Sequence, residues 1–167
     1  MTKENTRTAI STPKLTLFVY GTLKRGYWNF ERYCRNAVDI QPATVWGRLY
    51  QLSAGYPALE IPETSILAHG TDDPLVDAQT QHRFESRKQP VQKPDGDWEL
   101  VHGEVMTFLD PERDLPPIDR LEGFRANSNS ASHFYRMIVV AHYKLRNIPV
   151  WLYSQKNQNN GLRIVSW

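Results

Sequence analysis

A strand that stops at a glycine near the N-terminus constrains this chain more than any other feature. From Leu15 to Tyr20, aliphatic residues at odd positions alternate with Thr, Phe and Tyr, a pattern typical of a β-strand. The alternation ends at Gly21 and does not resume until Thr44. Asn29 then precedes a short segment that can form a helix, with Asn29 as its N-cap. A strand, a glycine turn and a helix start can expose unpaired backbone N–H groups to an anion, although an ordinary tight turn is the alternative.

Composition limits the kind of protein and its partners. The 167 residues are enough for one domain with one core, and 40% hydrophobic with 23% charged residues is typical of a soluble globular chain. The net charge of +2 and the scattered basic residues argue against a nucleic-acid partner, and no apolar run is long enough to span a membrane. Residues 1–13 are polar and predict a flexible tail without a secretion signal. The single cysteine, Cys34, excludes an internal disulfide and favours a cytoplasmic location.

The remaining patterns predict a β-rich domain from residue 14 to residue 155. A helix from Asp114 to Glu122 has proline near its start and ends at Gly123, the preferred residue after a helix. Six strands with few, short helices favour an α+β fold that closes into a six-stranded mixed β-barrel. Residues 156–167 are predicted to form a C-terminal tail. The six strands are predicted at residues 15–20, 43–52, 56–61, 98–108, 134–143 and 148–153.

The segment from Pro62 to Asp97 has the weakest pattern. Its apolar spacing is poor, and a stretch of this length between strands is typical of an insertion or of a lid over a site. Asp73 followed by Pro74 predicts the start of a short helix. The histidines and aspartates of the segment lack the regular spacing of metal ligands, so no metal site is predicted.

Two motifs resemble a known family. The residues Tyr20–Gly26 (Tyr-Gly-Thr-Leu-Lys-Arg-Gly), directly after an apolar strand, resemble the gamma-glutamylcyclotransferase-like family. Residues 119–123 (Asp-Arg-Leu-Glu-Gly) resemble its second signature, an acidic residue at a helix end, and are followed by an aromatic-Tyr-Arg strand start at residues 134–136. The segments 56–59 and 150–154 are similar to family strands, so the resemblance covers pieces of the chain from Leu15 to Ser154.

The resemblance implies an activity and a set of site residues. It implies that the α-amine of a gamma-glutamyl group attacks its own side-chain carbonyl, which gives 5-oxoproline and releases an amine or amino acid. The implied general base is Glu122, and the implied cradle for the gamma-glutamyl head consists of Tyr20, Gly21, Thr22 and Leu23. The only partner implied is this small-molecule substrate, and no metal, nucleotide or other cofactor is required.

Several residues have a second interpretation. Tyr135 is a candidate substrate-binding donor, but a tyrosine in a strand also serves in packing. Without the resemblance, a glutamate before a helix-ending glycine is more often a solvated residue of the last turn. Cys34 is interpreted as a small buried residue, because no Cys/His spacing supports catalysis. For the whole chain, the alternative to an enzyme is a non-catalytic domain of the same fold that binds a small metabolite or mediates an interaction.

Overall fold

The computed structural model describes residues 13–87, 92–126, 134–155 and 161–167. Within these residues the helices are α1 (Phe30–Tyr33), α2 (Pro74–Glu85) and α3 (Pro111–Glu122), with a 3-10 turn at Glu63–Ser65. The strands are β1 (Leu15–Val19), β2 (Asp39–Gln51), β3 (Pro57–Glu60), β4 (Ala68–His69), β5 (Glu99–Phe108), β6 (Phe134–Tyr143), β7 (Arg146–Gln155) and β8 (Leu162–Ile164).

Five of the strands close a barrel. The order β1-β5-β2-β6-β7 returns to β1, because β7 pairs with β1 in parallel at Leu17↔Trp151 and all other neighbours in the ring are antiparallel. The ring closes between β2 and β6 at the pair Thr44↔His142. The predicted α+β fold with a mixed β-barrel and few helices is therefore confirmed.

The ring contains one strand fewer than predicted. The third predicted strand forms as β3. It pairs with the C-terminal half of β2, where Leu59 of β3 lies opposite Leu49 of β2. On the other edge of that half lies β8, a strand within the predicted C-terminal tail, with Ile164 opposite Leu49. The 13 residues of β2 therefore belong to two sheets. Its N-terminal half pairs with β5 in the barrel, and its C-terminal half extends beyond the barrel and pairs with β3 and β8. Local alternation predicts that β3 is a strand but carries no information about its neighbours.

The core has two regions on the two sides of the barrel wall. The barrel interior is filled by apolar side chains such as Phe18, Val45, Val139 and Leu152. The outer layer lies between the barrel and the helices, where Leu17, Met106 and Trp151 pack against residues such as Ile118. Every residue of β1 is buried, because alternate side chains enter the two regions. A strand that is buried on both faces needs apolar residues on both faces, which explains why the sequence of β1 is almost entirely apolar.

The segment from residue 62 to residue 97 supplies α2, which is part of this outer layer. As predicted, Asp73 caps the helix by accepting hydrogen bonds from the backbone N–H of Leu75 (2.9 Å) and Val76 (3.4 Å). Gln81 of α2 is fully buried and accepts from the Thr16 N–H at 2.9 Å, while its amide donates to the Pro149 carbonyl at 2.9 Å. Gln81 thus satisfies backbone groups where β1 and β7 share only one paired position.

Helix α3 starts earlier than the sequence predicted. It begins at Pro111, with Asp110 accepting from the Arg113 N–H at 3.2 Å, so Pro116 and Pro117 lie inside the helix rather than at its start. The predicted end is confirmed. Gly123 adopts the left-handed conformation (φ 70°), which a residue with a side chain rarely takes, and the chain turns back with the Phe124 N–H donating to the Asp119 carbonyl at 2.9 Å.

Candidate functional site

A cavity of about 250 Å³ opens at the end of the barrel where β1 stops. The loop after β1 forms one wall, and the last turn of α3 forms another. Tyr20, Gly21, Thr22, Leu23 and Glu122, all predicted as site residues, contribute to the lining. The other lining residues are Phe18, Val19, Asn29, Tyr56, Pro57, Leu121, Phe134 and Tyr153.

The loop after β1 presents backbone donors. Within the described residues, no protein group accepts a hydrogen bond from the N–H of Gly21, Thr22 or Leu23. The loop is held from behind by the Lys24 N–H, which donates to the Gly21 carbonyl at 3.0 Å, and by the Asn29 N–H, which donates to the Thr22 carbonyl at 3.2 Å. These contacts fix the loop without using its first N–H groups, which suits the binding of an anionic group.

Asn29 fixes the Thr22 side chain. The Asn29 amide donates to Thr22 Oγ1 at 2.8 Å, so the Thr22 hydroxyl hydrogen can be donated to another group. The sequence predicted Asn29 as the N-cap of α1, but its side chain makes no cap hydrogen bond because it is engaged with Thr22. Asn29 is therefore a cavity residue that the sequence analysis assigned to a local role.

Gly21 is required for close packing rather than for an unusual backbone conformation. It is not among the glycines with positive φ in the described chain. A Cβ atom built on Gly21 would lie 2.8 Å from Cγ of Pro57, the first residue of β3. The site thus depends on a contact between two lining residues that are distant in the sequence.

Glu122 is the last residue of α3 and is only partly buried as a whole residue. Burial of its carboxyl group, and secondly the negative charge of Asp119, raise the pKa of Glu122 from 4.5 to about 7. Such a carboxyl group can accept and release a proton near neutral pH. The alternative interpretation of Glu122 as a solvated residue at the helix end does not fit this position.

Asp119, one helical turn before Glu122, is held by two other elements. It accepts hydrogen bonds from Nε of Arg136 on β6 at 2.8 Å and from the hydroxyl of Tyr153 on β7 at 2.6 Å. The Tyr153 carbonyl in turn accepts from the Tyr20 hydroxyl at 2.7 Å. The Tyr20 hydroxyl is thus engaged within the protein. Burial raises the pKa of Tyr20 well above 10, so this phenol stays protonated.

Tyr135 does not line this cavity, so the structure gives no support to its predicted role in substrate binding. It lies on a different concave surface, beside Glu63, Ile66 and His69, and packs against the barrel interior. Successive side chains of a strand point to opposite faces, so the neighbouring Phe134 reaches the cavity instead. The packing alternative for Tyr135 agrees with this position.

The described residues of the segment 62–97 also lie outside the cavity wall. Within its described residues, 62–87 and 92–97, none contributes to the lining. The expectation of a lid over the site is therefore not met by these residues, and α2 lies in the outer layer instead. Cys34 is fully buried there, and burial raises the pKa of its thiol to about 12, in agreement with a packing role.

Ionisable groups are few around the cavity. Glu122 is its only charged lining residue among those the structure describes, and no lysine or arginine contributes. The described part of the chain contains no group of three His, Cys, Asp or Glu side chains that could hold a metal ion. Among the same residues, no helix has both the length and the apolar character needed to cross a membrane.

Comparisons with known proteins agree with the fold and with the first motif. Residues 17–71 match the model of a family described as gamma-glutamyl cyclotransferase, AIG2-like. This match includes the cradle loop and Pro57 but not Glu122. No curated protein sequence matches the chain. The crystal structure of an AIG2-like protein from Mus musculus is similar, with a TM-score of 0.52 and 16% identity, over 93% of this chain and 88% of that chain. The family match and the shared fold together confirm the predicted resemblance of this chain to the gamma-glutamylcyclotransferase-like family.

Proposed function

We propose that this protein is a gamma-glutamyl cyclotransferase-type enzyme, which cyclises the gamma-glutamyl group of a small amide to 5-oxoproline and releases the amine. One observation carries the proposal. A carboxyl group with a pKa of about 7, that of Glu122, lines the same 250 Å³ cavity as Gly21, Thr22 and Leu23, whose N–H groups donate to no protein group of the described chain. A base and an anion cradle that line one cavity are the two features that this reaction needs from a protein.

In the proposed reaction, Glu122 moves the proton that blocks attack. The α-amine of the substrate has an ordinary pKa near ~8, so most of it is protonated at neutral pH. Glu122 removes this proton, and the amine nitrogen then bonds to the gamma-carbonyl carbon. When the original amide C–N bond breaks, the protonated Glu122 returns a proton to the leaving nitrogen. The second proton leaves the α-nitrogen once it has bonded to the carbonyl carbon and is taken up by the released amine, so two protons pass in net terms from the α-nitrogen to that amine and the Glu122 carboxylate is regenerated.

The loop after β1 binds the negative charge. The N–H groups of Gly21, Thr22 and Leu23 and the Thr22 hydroxyl are donors for the substrate carboxylate or for the oxyanion that develops on the gamma-carbonyl. Because the nucleophile and the carbonyl group belong to one substrate molecule, the protein has only to hold the gamma-glutamyl group in a ring-like conformation. The reaction requires no covalent nucleophile, metal or cofactor.

The rest of the cavity suggests the class of leaving group. Phe134, Leu121 and Pro57 contribute apolar side chains to the wall, and no described lysine or arginine lines the cavity to pair with a second carboxylate. An amino acid as leaving group would bring such a carboxylate into the cavity. We therefore propose gamma-glutamyl amides of amines without an acidic group as the preferred substrates.

The test is 5-oxoproline release from a panel of gamma-glutamyl donors that differ in the leaving group. Glu122→Gln should lower kcat by at least about 10²-fold, because the amide cannot accept the proton. Glu112→Gln on the exposed start of α3 is the matched control and should leave kcat unchanged. N-acetylation of the donor should stop turnover by the unaltered protein.

The same assay separates the enzyme from a non-catalytic binding domain. If the unaltered protein binds 5-oxoproline but releases none from any donor, the chain is a binding domain. If Glu122→Gln is as active as the unaltered protein, Glu122 is not the base.

A further inference from the structure

A buried ion cluster behind the cavity joins both long helices to the barrel. Arg136 on β6 is 1% exposed and lies at its centre. Its Nη1 donates to Asp77 of α2 at 2.7 Å, and its Nε and Nη2 donate to the two carboxylate oxygens of Asp119 on α3, at 2.8 and 3.2 Å. The cluster thus contains two carboxylates and one guanidinium group.

Each carboxylate of the cluster is fixed by more than its ion pair. Asp77 is fully buried and accepts hydrogen bonds from the Thr71 N–H at 3.0 Å and from the Thr71 hydroxyl at 2.9 Å. Asp119 accepts from the Tyr153 hydroxyl at 2.6 Å. The guanidinium carbon of Arg136 also lies 4.6 Å from the centre of the Phe124 ring, just beyond the end of α3. The end of α3 is therefore attached to the barrel by ionic, hydrogen-bonding and ring contacts.

Asp119 connects this cluster to the candidate active site. It lies one helical turn before Glu122, and its partner Tyr153 lines the cavity. We propose that Asp119, held between Arg136 and Tyr153, is a positioning residue that keeps the Glu122 carboxyl group directed into the cavity and sets the charge around it. This role rests on the proposed function of Glu122 as the base, but its geometric and electrostatic part can be tested separately.

The charged and titratable neighbours of Glu122 come from four elements. They are Asp119 on α3, Tyr20 at the end of β1, Cys34 after α1 and Tyr153 on β7. Burial raises the pKa of Tyr20, of Cys34 and of Tyr153, so these three groups are neutral near pH 7. Asp119 is then the charged neighbour through which the cluster acts on Glu122.

The chain offers a matched pair of substitutions. Asp119→Asn and Asp77→Asn each remove one carboxylate from the same buried guanidinium group, so both should lower the melting temperature. Only Asp119 adjoins Glu122. A third variant, Tyr153→Phe, removes one hydrogen bond from Asp119 and retains the backbone carbonyl that Tyr20 contacts.

The readout is the pKa of Glu122, measured by NMR titration of protein labelled with ¹³C in the glutamate carboxyl groups, with Glu122→Gln to assign the signal. Asp119→Asn should lower this pKa by about half a unit or more, because a like charge is removed. Tyr153→Phe should raise it, because the charge of Asp119 loses a neutralising donor. Asp77→Asn should leave it unchanged.

The pattern of these three shifts decides the proposal. Equal shifts in the two Asn variants, or no shift in Asp119→Asn, would overturn it, since the cluster would then act only on the stability of the fold. If Asp119→Asn does not fold, Tyr153→Phe decides alone, and an unchanged or lowered pKa contradicts the role of Asp119. Because the titration needs no turnover, a protein that releases no 5-oxoproline still tests this inference, and its inactivity counts only against the proposed function.

Discussion

The barrel interior and the outer layer are built from different chemistry. The interior is packed with aliphatic and aromatic side chains, whereas the buried charges of the described residues, those of Asp77, Asp114 and Arg136, lie in the layer between barrel and helices. Burial of apolar area stabilises the interior without requiring particular partners. Buried charges contribute little net stability but require specific partners, and so they fix the position of the elements that carry them. We infer that the interior holds the fold together and that the outer layer determines where Glu122 lies.

The largest expected effect tests this division directly. Arg136→Met should lower the free energy of unfolding by about 3–5 kcal/mol, since it leaves the buried carboxylate of Asp77 and the partly buried carboxylate of Asp119 without their cation. Leu152→Ala in the barrel interior should cost about 2–5 kcal/mol through the cavity that it creates. Chemical denaturation measures both. Per folded molecule, kcat should fall in Arg136→Met and not in Leu152→Ala, and an equal loss in both would remove the distinction between the two regions.

The cavity lies where the two regions meet, and the second prediction concerns that boundary. Gly21→Val should weaken 5-oxoproline binding by roughly 10- to 100-fold, because the new side chain is forced against Pro57 at a cost of about 1–3 kcal/mol. Isothermal titration calorimetry gives the affinity. As a control, Pro57→Ala should restore part of the binding that Gly21→Ala loses. Unchanged affinity in Gly21→Val would show that the loop is only a turn.

A smaller effect is expected from the hydrogen bond that orders the cradle. Asn29→Ala should raise KM by about 2- to 10-fold with little change in kcat, which corresponds to the loss of one hydrogen bond of about 0.5–1.5 kcal/mol. Asn36→Ala is the matched control, since the Asn36 amide donates to Asp114 at 2.9 Å, outside the cavity lining. Steady-state kinetics of both variants separates the two roles, and a change of KM in both would argue against a specific role for Asn29.

The last prediction concerns stability as a function of pH. The pKa of Glu122 is about 7 in the folded protein and 4.5 ordinarily, so between these pH values the folded state binds more protons than the unfolded state. Ionisation of Glu122 therefore lowers the free energy of unfolding as the pH rises through this window. Glu122→Gln should melt at a higher temperature than the unaltered protein at pH 8, by roughly 5–15 °C, and at the same temperature below about pH 4.5.

Differential scanning calorimetry at several pH values measures this difference. Glu112→Gln on the exposed first turn of α3 should show no comparable change with pH. A constant difference for Glu122→Gln across the range would mean that Glu122 has an ordinary pKa in the folded protein.

The sequence by itself determined the elements whose signals are local. Alternation predicted β1 and its end at Gly21, and Gly123 predicted the end of α3, because strand faces and helix caps depend on residues a few positions apart. The two family signatures identified the cradle loop and Glu122, which the structure brings to one cavity. These residues could be recognised only through that resemblance, because residue type and spacing alone left an ordinary turn and a solvated helix-end glutamate as alternatives.

Only the tertiary structure decided what depends on partners far apart in the chain. Which strands become neighbours determines that five strands rather than six close the barrel and that Gly21 contacts Pro57. The structure also shows that Tyr135 lies outside the cavity lining, on a different concave surface. The pairing of Arg136 with Asp77 joins residues 59 positions apart. In the sequence, Arg136 is simply an arginine in a strand and Asp77 an aspartate in a helix, and neither position indicates the other. The free energy of burying their charges is recovered only when the fold brings them together, and no local pattern records that contact.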